Sequence, residues 1–288
     1  MKVYEIVTDR ILKKLEEGTV PWQKPWNAEA GMPKNLVSEK EYRGINIILL
    51  GSQGYVSPWW LTFKQAKEKG GYVREGEKGT PIVYCDTVRK EVVGEDGELT
   101  EKEMSFLRYY TVFNAAQVEG VEFPEPSVVV RPFTSIEECE RLVAGMPNPP
   151  AIRHGSDRAF YRSSEDTVYM PDHGLFHGDE EYYSTLFHEI CHSTGHETRL
   201  NRRPSTEARN FGDEAYSKEE LVAEIGCAFL CGIAGIENKT IDNSAAYIAS
   251  WLKALRDDKR MVIQAAAAAQ RAADYITAKI HAEALAAA

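Results

Sequence analysis

The sequence predicts a two-domain protein of the α+β class. Its 288 residues suffice for one large or two ordinary domains, and a content of 43% hydrophobic and 27% charged residues is typical of a globular protein. Proline-rich stretches near residues 120–150 cannot continue a helix and indicate a boundary. Short strands are predicted before that boundary and helices after it. We therefore predict a first domain over residues 1–120, a linker over 121–132 and a second domain over 133–288.

The first domain is predicted to mix helices with short strands. Apolar residues spaced as a buried stripe predict an opening helix over residues 3–15, which Gly18 ends. Three further elements are predicted here: a helix over 57–69 and strands over 81–85 and 108–113. An acidic stretch between those two strands, residues 91–103, is expected to form a solvated hairpin that faces away from any bound nucleic acid.

The segment His188-Glu189-Ile190-Cys191-His192 reads H-E-x-x-H, a zinc motif of metallopeptidases. Four residues apart on a helix, His188 and His192 share one face, so their imidazoles can bind one metal ion. Glu189 lies about 100° further round the helix, where it can act as general base for an attacking water. Asp179 as N-cap and an apolar stripe along the other face support the helix. The alternative is two ordinary histidines on an amphipathic helix.

A zinc site of this type needs a third protein ligand. The pattern H-E-x-x-H-x-x-G-x-x-H would supply a third histidine, but Thr198 stands in that place and excludes the class. Glu220 and Glu224 share a helical face and resemble the thermolysin-like pattern E-x-x-x-[DE], in which the first acid binds zinc and the second orients a ligand histidine. By that resemblance Glu220 is the ligand and Glu224 the orienting acid. Ser217 and Glu220 also fit a capping box, and in that case Glu224 would be the ligand.

Several other residues are weaker candidates for the metal site. Cys227 and Cys231, four apart on the same helix, are an alternative thiolate pair, although single helical cysteines usually pack as small hydrophobes. Tyr216 and His196 are candidates for stabilising an oxyanion. The remaining histidines before the motif are predicted to be loop residues: His154, His173 and His177. A strand over residues 167–170 is expected to be an edge strand that receives an extended peptide.

The composition limits which cellular compartments and which binding partners are expected. No run of 18 apolar residues is present, so no transmembrane helix is expected, and residues 1–7 are not expected to form a signal peptide because acids stand among their apolar residues. Five scattered cysteines, an odd number, favour reduced thiols and a cytoplasmic setting. The net charge of −10 argues against tight binding of nucleic acid by the whole surface. Residues 1–90, however, hold 15 Lys and Arg against 11 Asp and Glu.

Tryptophans are concentrated near the start of the chain. Four of the five fall in residues 22–60, interleaved with cations. Rings beside cations suit single-stranded nucleic acid, because bases stack on the rings, each contributing about 1–3 kcal/mol, while the cations follow the phosphates. The alternative is that these tryptophans fill a small core, since tryptophan is highly buried on average. The candidate DNA-binding residues are Trp22, Lys24, Trp26, Arg43, Trp59, Lys64 and Lys78.

Several segments resemble one known family. Tyr42-Arg43-Gly44-Ile45-Asn46 and Gly76-Glu77-Lys78-Gly79 resemble the N-terminal domain of ArdC-type antirestriction proteins. Residues 187–196 and 219–224 resemble the zincin-like metallopeptidase domain of that family. The resemblance covers nearly the whole chain in the domain order of the family.

The resemblance implies a mobile-element protein that protects incoming DNA from restriction. It implies a first domain that binds single-stranded DNA and a second that holds a divalent metal, Zn2+ or another such as Mn2+, and hydrolyses peptide bonds. The substrate would be a protein or peptide, for which a restriction component is one candidate, and no membrane partner is expected. Two alternatives stay open: a non-proteolytic protein that binds or blocks DNA and has a structural metal site, or a general cytoplasmic zinc peptidase.

Overall fold

An amphipathic helix opens the structure. The computed structural model describes residues 3–23, 31–93, 99–124, 134–202, 214–239, 245–280 and 282. Helix α1 (Val3–Glu16) buries Val7, Ile11 and Leu15, which their spacing places on one face. Gly18 then takes a φ of 77°, the left-handed conformation that ends many helices. The predicted opening helix is therefore confirmed.

The N-terminal part is built on a four-stranded sheet of order β1-β2-β5-β4. Its strands are β1 (Lys34–Asn35), β2 (Trp59–Thr62), β4 (Thr80–Val93) and β5 (Leu99–Asn114). Helix α2 (Ile45–Gly51) and a small sheet of β3 (Tyr72–Val73) and β6 (Val118–Glu119) complete it. Both predicted strands are present but longer than predicted, because the acidic stretch continues the ladder as far as Val93 and Leu99. The predicted hairpin thus forms, and its tip, residues 94–98, lies outside the described residues.

Residues 57–69 are not one helix, so that prediction is wrong. The first half is β2, an interior strand in which Trp60 is buried, and aromatic residues suit such a pleated, buried surface. Thr62 then begins helix α3 (Phe63–Glu68). Its hydroxyl accepts a hydrogen bond from the backbone N–H of Gln65, whose side chain accepts one from the backbone N–H of Thr62. This capping box fixes the point at which strand becomes helix.

The C-terminal part packs helices against a three-stranded sheet of order β7-β9-β8. The strands are β7 (Ala151–Arg153), β8 (Phe160–Arg162) and β9 (Thr167–Tyr169). The helices are α4 (Ser135–Ala144), α5 (Asp179–Ser193), α6 (Glu214–Ala234), α7 (Ala245–Asp257) and α8 (Met261–Ile276). The strand predicted before the motif is present as β9, but it lies between β7 and β8. The prediction that it is an edge strand is therefore wrong. None of the helices that the structure describes has the length and apolarity needed to span a bilayer.

One hydrophobic core joins the two parts of the chain. Trp22 and Ile48 from the N-terminal part belong to the same buried cluster as Phe187 and Phe229 from the C-terminal part. The fold is thus of the α+β class, with a small sheet-containing part and a helical part that share apolar packing. The predicted linker lies mostly in residues 125–133, outside the described ranges.

Candidate metal centre

Two helices bring three ligand atoms together. On α5 the Nε2 atoms of His188 and His192 lie 3.1 Å apart. Glu220 of α6 faces both, with one carboxylate oxygen 3.5 Å from the Nε2 of His188 and the other 3.5 Å from the Nε2 of His192. Within the described ranges, this is the group of His, Cys, Asp and Glu side chains that could hold a metal ion.

The spacing of these atoms fits a small divalent ion. Ligands at about 2.0–2.2 Å from a tetrahedral metal lie about 3.3–3.6 Å from one another. Here the two histidine nitrogens lie 3.1 Å apart, and each of them lies 3.5 Å from an oxygen of Glu220. Two imidazoles and a carboxylate suit Zn2+, and the carboxylate also suits Mn2+. The residues present therefore fit the metal that the sequence predicts.

The register of α6 leaves Glu220 free to face the histidines. The helix begins at Glu214, so Ser217 lies inside it and cannot be an N-cap, and the capping-box alternative is wrong.

Further along α6, Gly226 packs against Cys191 of α5. A Cβ at Gly226 would lie 2.7 Å from the sulfur of Cys191, so the missing side chain lets the two helices approach closely.

Glu219, which sequence reasoning missed, faces a ligand histidine. Its carboxylate lies 3.7 Å from the Nδ1 of His192. Arg202 donates hydrogen bonds to both oxygens of Glu219, at 2.7 and 3.3 Å, and to the carbonyl of Cys191 at 2.9 Å. The available signal was the adjacent pair Glu219-Glu220, since neighbouring helical positions differ by about 100° and can flank one imidazole.

Glu224 is bonded to a residue from the start of the chain. It accepts a 2.7 Å hydrogen bond from the indole Nε1 of Trp22, and its side chain is buried. One carboxylate oxygen is thus held by a ring from the start of the chain. The role of Glu224 as the acid that orients a ligand histidine stays a prediction. Burial also raises the pKa of Glu224.

Electrostatics favour the ionised form of the candidate ligand carboxylate. Burial alone would raise the pKa of Glu220, but His188 and His192 hold it well below its usual range. Burial alone would lower the pKa of His192, but Glu219 and Glu220 raise it well above its usual value. The cluster is thus a charged network in which a cation can replace the imidazole protons, as metal binding requires.

Glu189 lies beside this group with its carboxylate unengaged. The side chain is only 8% exposed. Within the described part of the chain, the carboxylate forms no hydrogen bond or ion pair. A buried carboxylate without a fixed donor is suited to accept a proton from a bound substrate or water.

The cysteines behind the site do not form a thiolate centre. The sulfurs of Cys227 and Cys231 lie 3.8 Å apart, and Cys227 donates to the carbonyl of Ser184. Burial raises the pKa of Cys231 well above its usual value, which disfavours the thiolate that a metal needs. Neither cysteine belongs to the metal-holding group identified in the described ranges.

The remaining candidates of the metal site differ in what the structure shows. Three histidines stand apart from the metal-holding group of the described residues: His154, His173 and His177. His196 is bonded through Nδ1 to the hydroxyl of Thr198 at 2.9 Å. The side chain of Tyr216 lies outside the described residues. The oxyanion role of Tyr216 and His196 stays a prediction.

Arg199 ties the motif helix to the three-stranded sheet. Its fully buried guanidinium donates to both oxygens of Asp166 at 2.7 Å and to the carbonyl of Ser193, the last residue of α5, at 3.0 Å. Burial alone would raise the pKa of Asp166, but the bonds from Arg199 and Tyr161 hold it below its usual value. The turn between β8 and β9 is therefore fixed to the end of the helix that carries the motif.

Trp22 is not on the surface. It is 0% exposed, and its ring meets that of Trp251 edge-on with centroids 5.8 Å apart. A fully buried ring cannot stack on a base, so the assignment of Trp22 to a DNA-binding surface is wrong. Lys24 and Trp26, which belong to the same predicted surface, lie outside the described residues.

The other predicted DNA-binding residues reach the surface to different degrees. Three of the cations are exposed: Arg43, Lys64 and Lys78. Arg43 is ion-paired with Asp274 of α8. Trp59 is half-buried, and its indole N–H donates to the carbonyl of Pro124 at 3.1 Å. Their role in binding DNA stays a prediction.

Exposed tyrosines on the β4–β5 hairpin were missed by the sequence reasoning. Tyr84 and Tyr110 are 55% and 46% exposed, and their rings meet edge-to-face at 6.4 Å. Arg108 lies opposite Tyr84 in the ladder, with its guanidinium 4.8 Å from the ring centre of Phe106. The available signal was the alternation along β5, which places Phe106, Arg108 and Tyr110 on one face of the strand.

Two known families match this chain. Residues 1–113 match the N-terminal domain of anti-restriction factor ArdC. Residues 137–268 match a zincin-like metallopeptidase family.

Two solved structures cover nearly the whole chain. The metal-free crystal structure of the antirestriction protein ArdC from the R388 plasmid is 38% identical, with a TM-score of 0.77 over 98% of this chain and 99% of that one. The Mn(II)-bound structure of the same protein gives a TM-score of 0.75 at 38% identity, over 97% and 98%.

Curated relatives include longer proteins. Two proteins named DNA primase TraC from Escherichia coli are 39% and 37% identical over 96% of this chain. The chain spans only 27% and 20% of their lengths. The protein y4eC of Sinorhizobium fredii is 36% identical over 96% of this chain and 92% of its own length.

Proposed function

Because this chain belongs to the ArdC antirestriction family, we propose that it protects incoming DNA from host restriction by binding single-stranded DNA and hydrolysing peptide bonds. One observation carries the proposal: His188, His192 and Glu220 converge beside the unengaged carboxylate of Glu189. The Mn(II)-bound structure of a 38% identical ArdC supports a metal in this fold.

The chemistry we propose is hydrolysis of a peptide amide. A Zn2+ or Mn2+ ion held by His188, His192 and Glu220 would supply Lewis-acid activation. Glu189 is the general base, whose carboxylate takes a proton from the attacking water and passes it to the departing amine. Glu219, held by Arg202, keeps the imidazole of His192 in its orientation.

The substrate peptide is proposed to extend along β8. This strand pairs with β9 on one side only, so among the described strands it is an edge of the sheet. An edge strand offers unpaired backbone groups to an extended peptide. The bonds of Arg199 to Asp166 and Ser193 hold this edge in a fixed position relative to α5.

Single-stranded DNA is proposed to bind the N-terminal part. The exposed rings of Tyr84 and Tyr110 beside Arg108 support this, as do the exposed cations Lys64 and Lys78. Such rings receive bases while cations follow phosphates. The net charge of −10 means that any such surface must be local.

The proteolytic account is tested by Glu189→Gln. The substitution keeps the size of the side chain and all three candidate ligands, so metal content should stay unchanged while hydrolysis falls by about 10²–10⁴-fold. Protection of transferred DNA in a restriction assay should fall with it. Glu180→Gln, in the half-buried first turn of the same helix and outside the metal-holding group, is the matched control and should behave as wild type.

Two outcomes would contradict this account. Full protection by Glu189→Gln would leave a protein that blocks restriction without proteolysis. Rapid cleavage of casein without DNA, combined with no protection in the restriction assay, would indicate a general peptidase instead.

The DNA-binding account is tested with labelled oligothymidylate at low salt. Tyr84→Ala with Tyr110→Ala should weaken binding by about tenfold or more, because each stacked base contributes about 1–3 kcal/mol. The matched control is Tyr72→Ala, which removes an equally exposed ring whose hydroxyl is engaged by Glu119. A wild-type protein that does not bind the oligonucleotide at all would contradict the assignment.

A further inference from the structure

The outer face of the three-stranded sheet carries arginines and rings that the proposed function does not use. Arg153 of β7 and Phe160 of β8 both lie opposite Tyr169 of the central strand β9. Residues opposite each other in paired strands point to the same face, so these three form a row across the sheet. Arg162, two residues after Phe160, lies on this face as well. The reverse face packs into the core through Val168, which is fully buried.

Two stacked rings support the guanidinium groups. The rings of Phe160 and Tyr169 lie 4.9 Å apart with an interplanar angle of 14°. The guanidinium of Arg162 lies 5.3 Å from the Phe160 centroid and 4.9 Å from that of Tyr169. Arg158, from the loop before β8, lies 5.6 Å from the ring of Phe160. A guanidinium laid on a ring is already oriented, so it loses less freedom when it binds an anion.

Acidic side chains neutralise only part of this charge. Arg162 is paired with Glu165 at 2.7 Å. Arg153 and Arg158 form no ion pair within the part of the chain that the structure describes, and Asp157 is the acid in their loop. Three arginines against Glu165 and Asp157 give a balance of +1 on this face, in a chain whose net charge is −10.

These side chains line a surface depression that we call the arginine groove. It is defined by Arg153, Arg158, Phe160, Arg162 and Tyr169, and its volume is about 590 Å³. That volume falls within the range of about 300–1,000 Å³ that is typical of ligand sites.

We propose that the arginine groove binds the phosphates of single-stranded DNA and gives the metal-containing part of the protein its own contact with the strand. The inference rests on the proposed function, since it presumes that the protein binds single-stranded DNA. Arginine forks match phosphate oxygens in a bidentate manner. A DNA strand carries a phosphate at every nucleotide and can satisfy Arg153 and Arg158 together, whereas a peptide carries carboxylates only where its sequence provides them. Unstacked bases of a single strand can also lie against guanidinium planes.

The test is the salt dependence of oligothymidylate binding, measured by fluorescence anisotropy over about 50–200 mM salt. For a single strand, each lost phosphate contact lowers the slope of log affinity against log salt by about 0.7, so Arg153→Gln with Arg158→Gln should lower it by about 1.4. Arg141→Gln with Arg256→Gln removes the same charge from α4 and α7 and should leave the slope unchanged. Arg153→Lys with Arg158→Lys should largely keep the wild-type slope, because the charge remains.

The outcomes separate this inference from the proposed function. Wild-type binding with an unchanged slope and affinity in the Arg153→Gln, Arg158→Gln variant overturns the arginine groove alone. Absence of binding by the wild-type protein overturns both. Displacement of the oligonucleotide by oligoglutamate at equal concentration of charges would identify the groove as a peptide surface and also overturn the inference. Equal thermal midpoints of the variants and wild type show that the fold is retained.

Discussion

The indole Nε1 of Trp22 donates a 2.7 Å hydrogen bond to the carboxylate of Glu224, although 202 residues separate the two in the chain. Glu224 lies one helical turn after Glu220, the candidate metal ligand on α6. A ring from the N-terminal part is therefore packed one turn away from the metal-holding group. The two parts of the chain thus meet at the helix that supplies the carboxylate ligand.

Trp22→Phe should lower the free energy of unfolding by about 2–4 kcal/mol, because a buried acceptor loses its donor and a small cavity remains. Trp59→Phe is the matched control, since its half-buried indole donates to the carbonyl of Pro124, and it should cost less than about 1 kcal/mol. Denaturant unfolding measures both changes. Equal losses of stability would mean that the hydrogen bond to Glu224 stabilises the fold no more than the bond from Trp59 to Pro124 does.

Glu220→Gln and Glu224→Gln should differ in metal affinity. Loss of a direct carboxylate ligand should weaken Zn2+ or Mn2+ binding by more than about 100-fold, above the range for residues that only support a ligand. Glu224→Gln should stay within about tenfold of wild type, because its amide oxygen can still accept from Trp22. Titration calorimetry distinguishes them, and the reverse order would identify Glu224 as the ligand.

Glu219→Gln should weaken metal binding by about 10–100-fold while leaving all three candidate ligands in place, because the imidazole of His192 loses the negative charge that orients it. Lys218→Met, at the preceding half-buried position, removes an ammonium that donates to Gln264 of α8; it is the control and should leave metal affinity unchanged. Arg202→Lys should reproduce part of the loss, since lysine cannot bridge Glu219 and the Cys191 carbonyl in the same way. Wild-type metal affinity in Glu219→Gln would contradict a role for Glu219 in orienting His192.

Metal should stabilise the folded protein. At a free concentration 100 times the dissociation constant, Zn2+ or Mn2+ should add about 2.7 kcal/mol to the free energy of unfolding. A chelator should reverse the accompanying rise in thermal midpoint. The double variant His188→Ala, His192→Ala should show no rise, and a rise of wild-type size in that variant would place the ion elsewhere.

Asp166→Asn should destabilise the protein by about 2–3 kcal/mol at neutral pH, because it leaves the buried guanidinium of Arg199 without its carboxylate. The value is below that for a fully buried pair, since Asp166 is one-third exposed. The folded state holds the pKa of Asp166 below its usual value. Its contribution is thus present above about pH 3.9, the value for an unfolded chain, and is lost as pH falls through the folded pKa. The difference between variant and wild type should therefore shrink in acid, and a difference that grows there would contradict the assignment.

Local sequence rules predicted the part of the metal site that lies on one helix. The candidates His188, Glu189 and His192 follow from the H-E-x-x-H motif and its helical spacing. The candidate Glu220 follows from resemblance to a thermolysin-like pattern one helix later. The partner of Glu224 could not be predicted, because Trp22 lies far away in sequence and only the tertiary fold brings it to α6. For the same reason the burial of Trp22 could not be predicted from the sequence.

The order of the strands in each sheet likewise could not be predicted from local sequence patterns. Alternation correctly indicated a strand before the motif, yet whether a strand lies at the centre or the edge of a sheet depends on which neighbours pair with it. The helix predicted over residues 57–69 begins only at Phe63, six residues later than predicted, where Thr62 and Gln65 form a capping box, and residues 59–62 form β2 instead. In both cases pairing partners distant in sequence decided the outcome.

The packing of α1 against the last helices has a consequence for synthesis on the ribosome. The hydroxyl of Thr8 donates to the carbonyl of Lys259, so this contact can form only after about 250 further residues have been made. At about 5–20 residues per second, that wait is on the order of 12–50 s. Throughout it, the apolar stripe of Val7, Ile11 and Leu15 lacks the helices α7 and α8 that pack against α1 in the folded protein. We therefore expect helix α1 to remain accessible to chaperones until residue 259 has left the ribosome, and crosslinking of stalled nascent chains of increasing length would measure this.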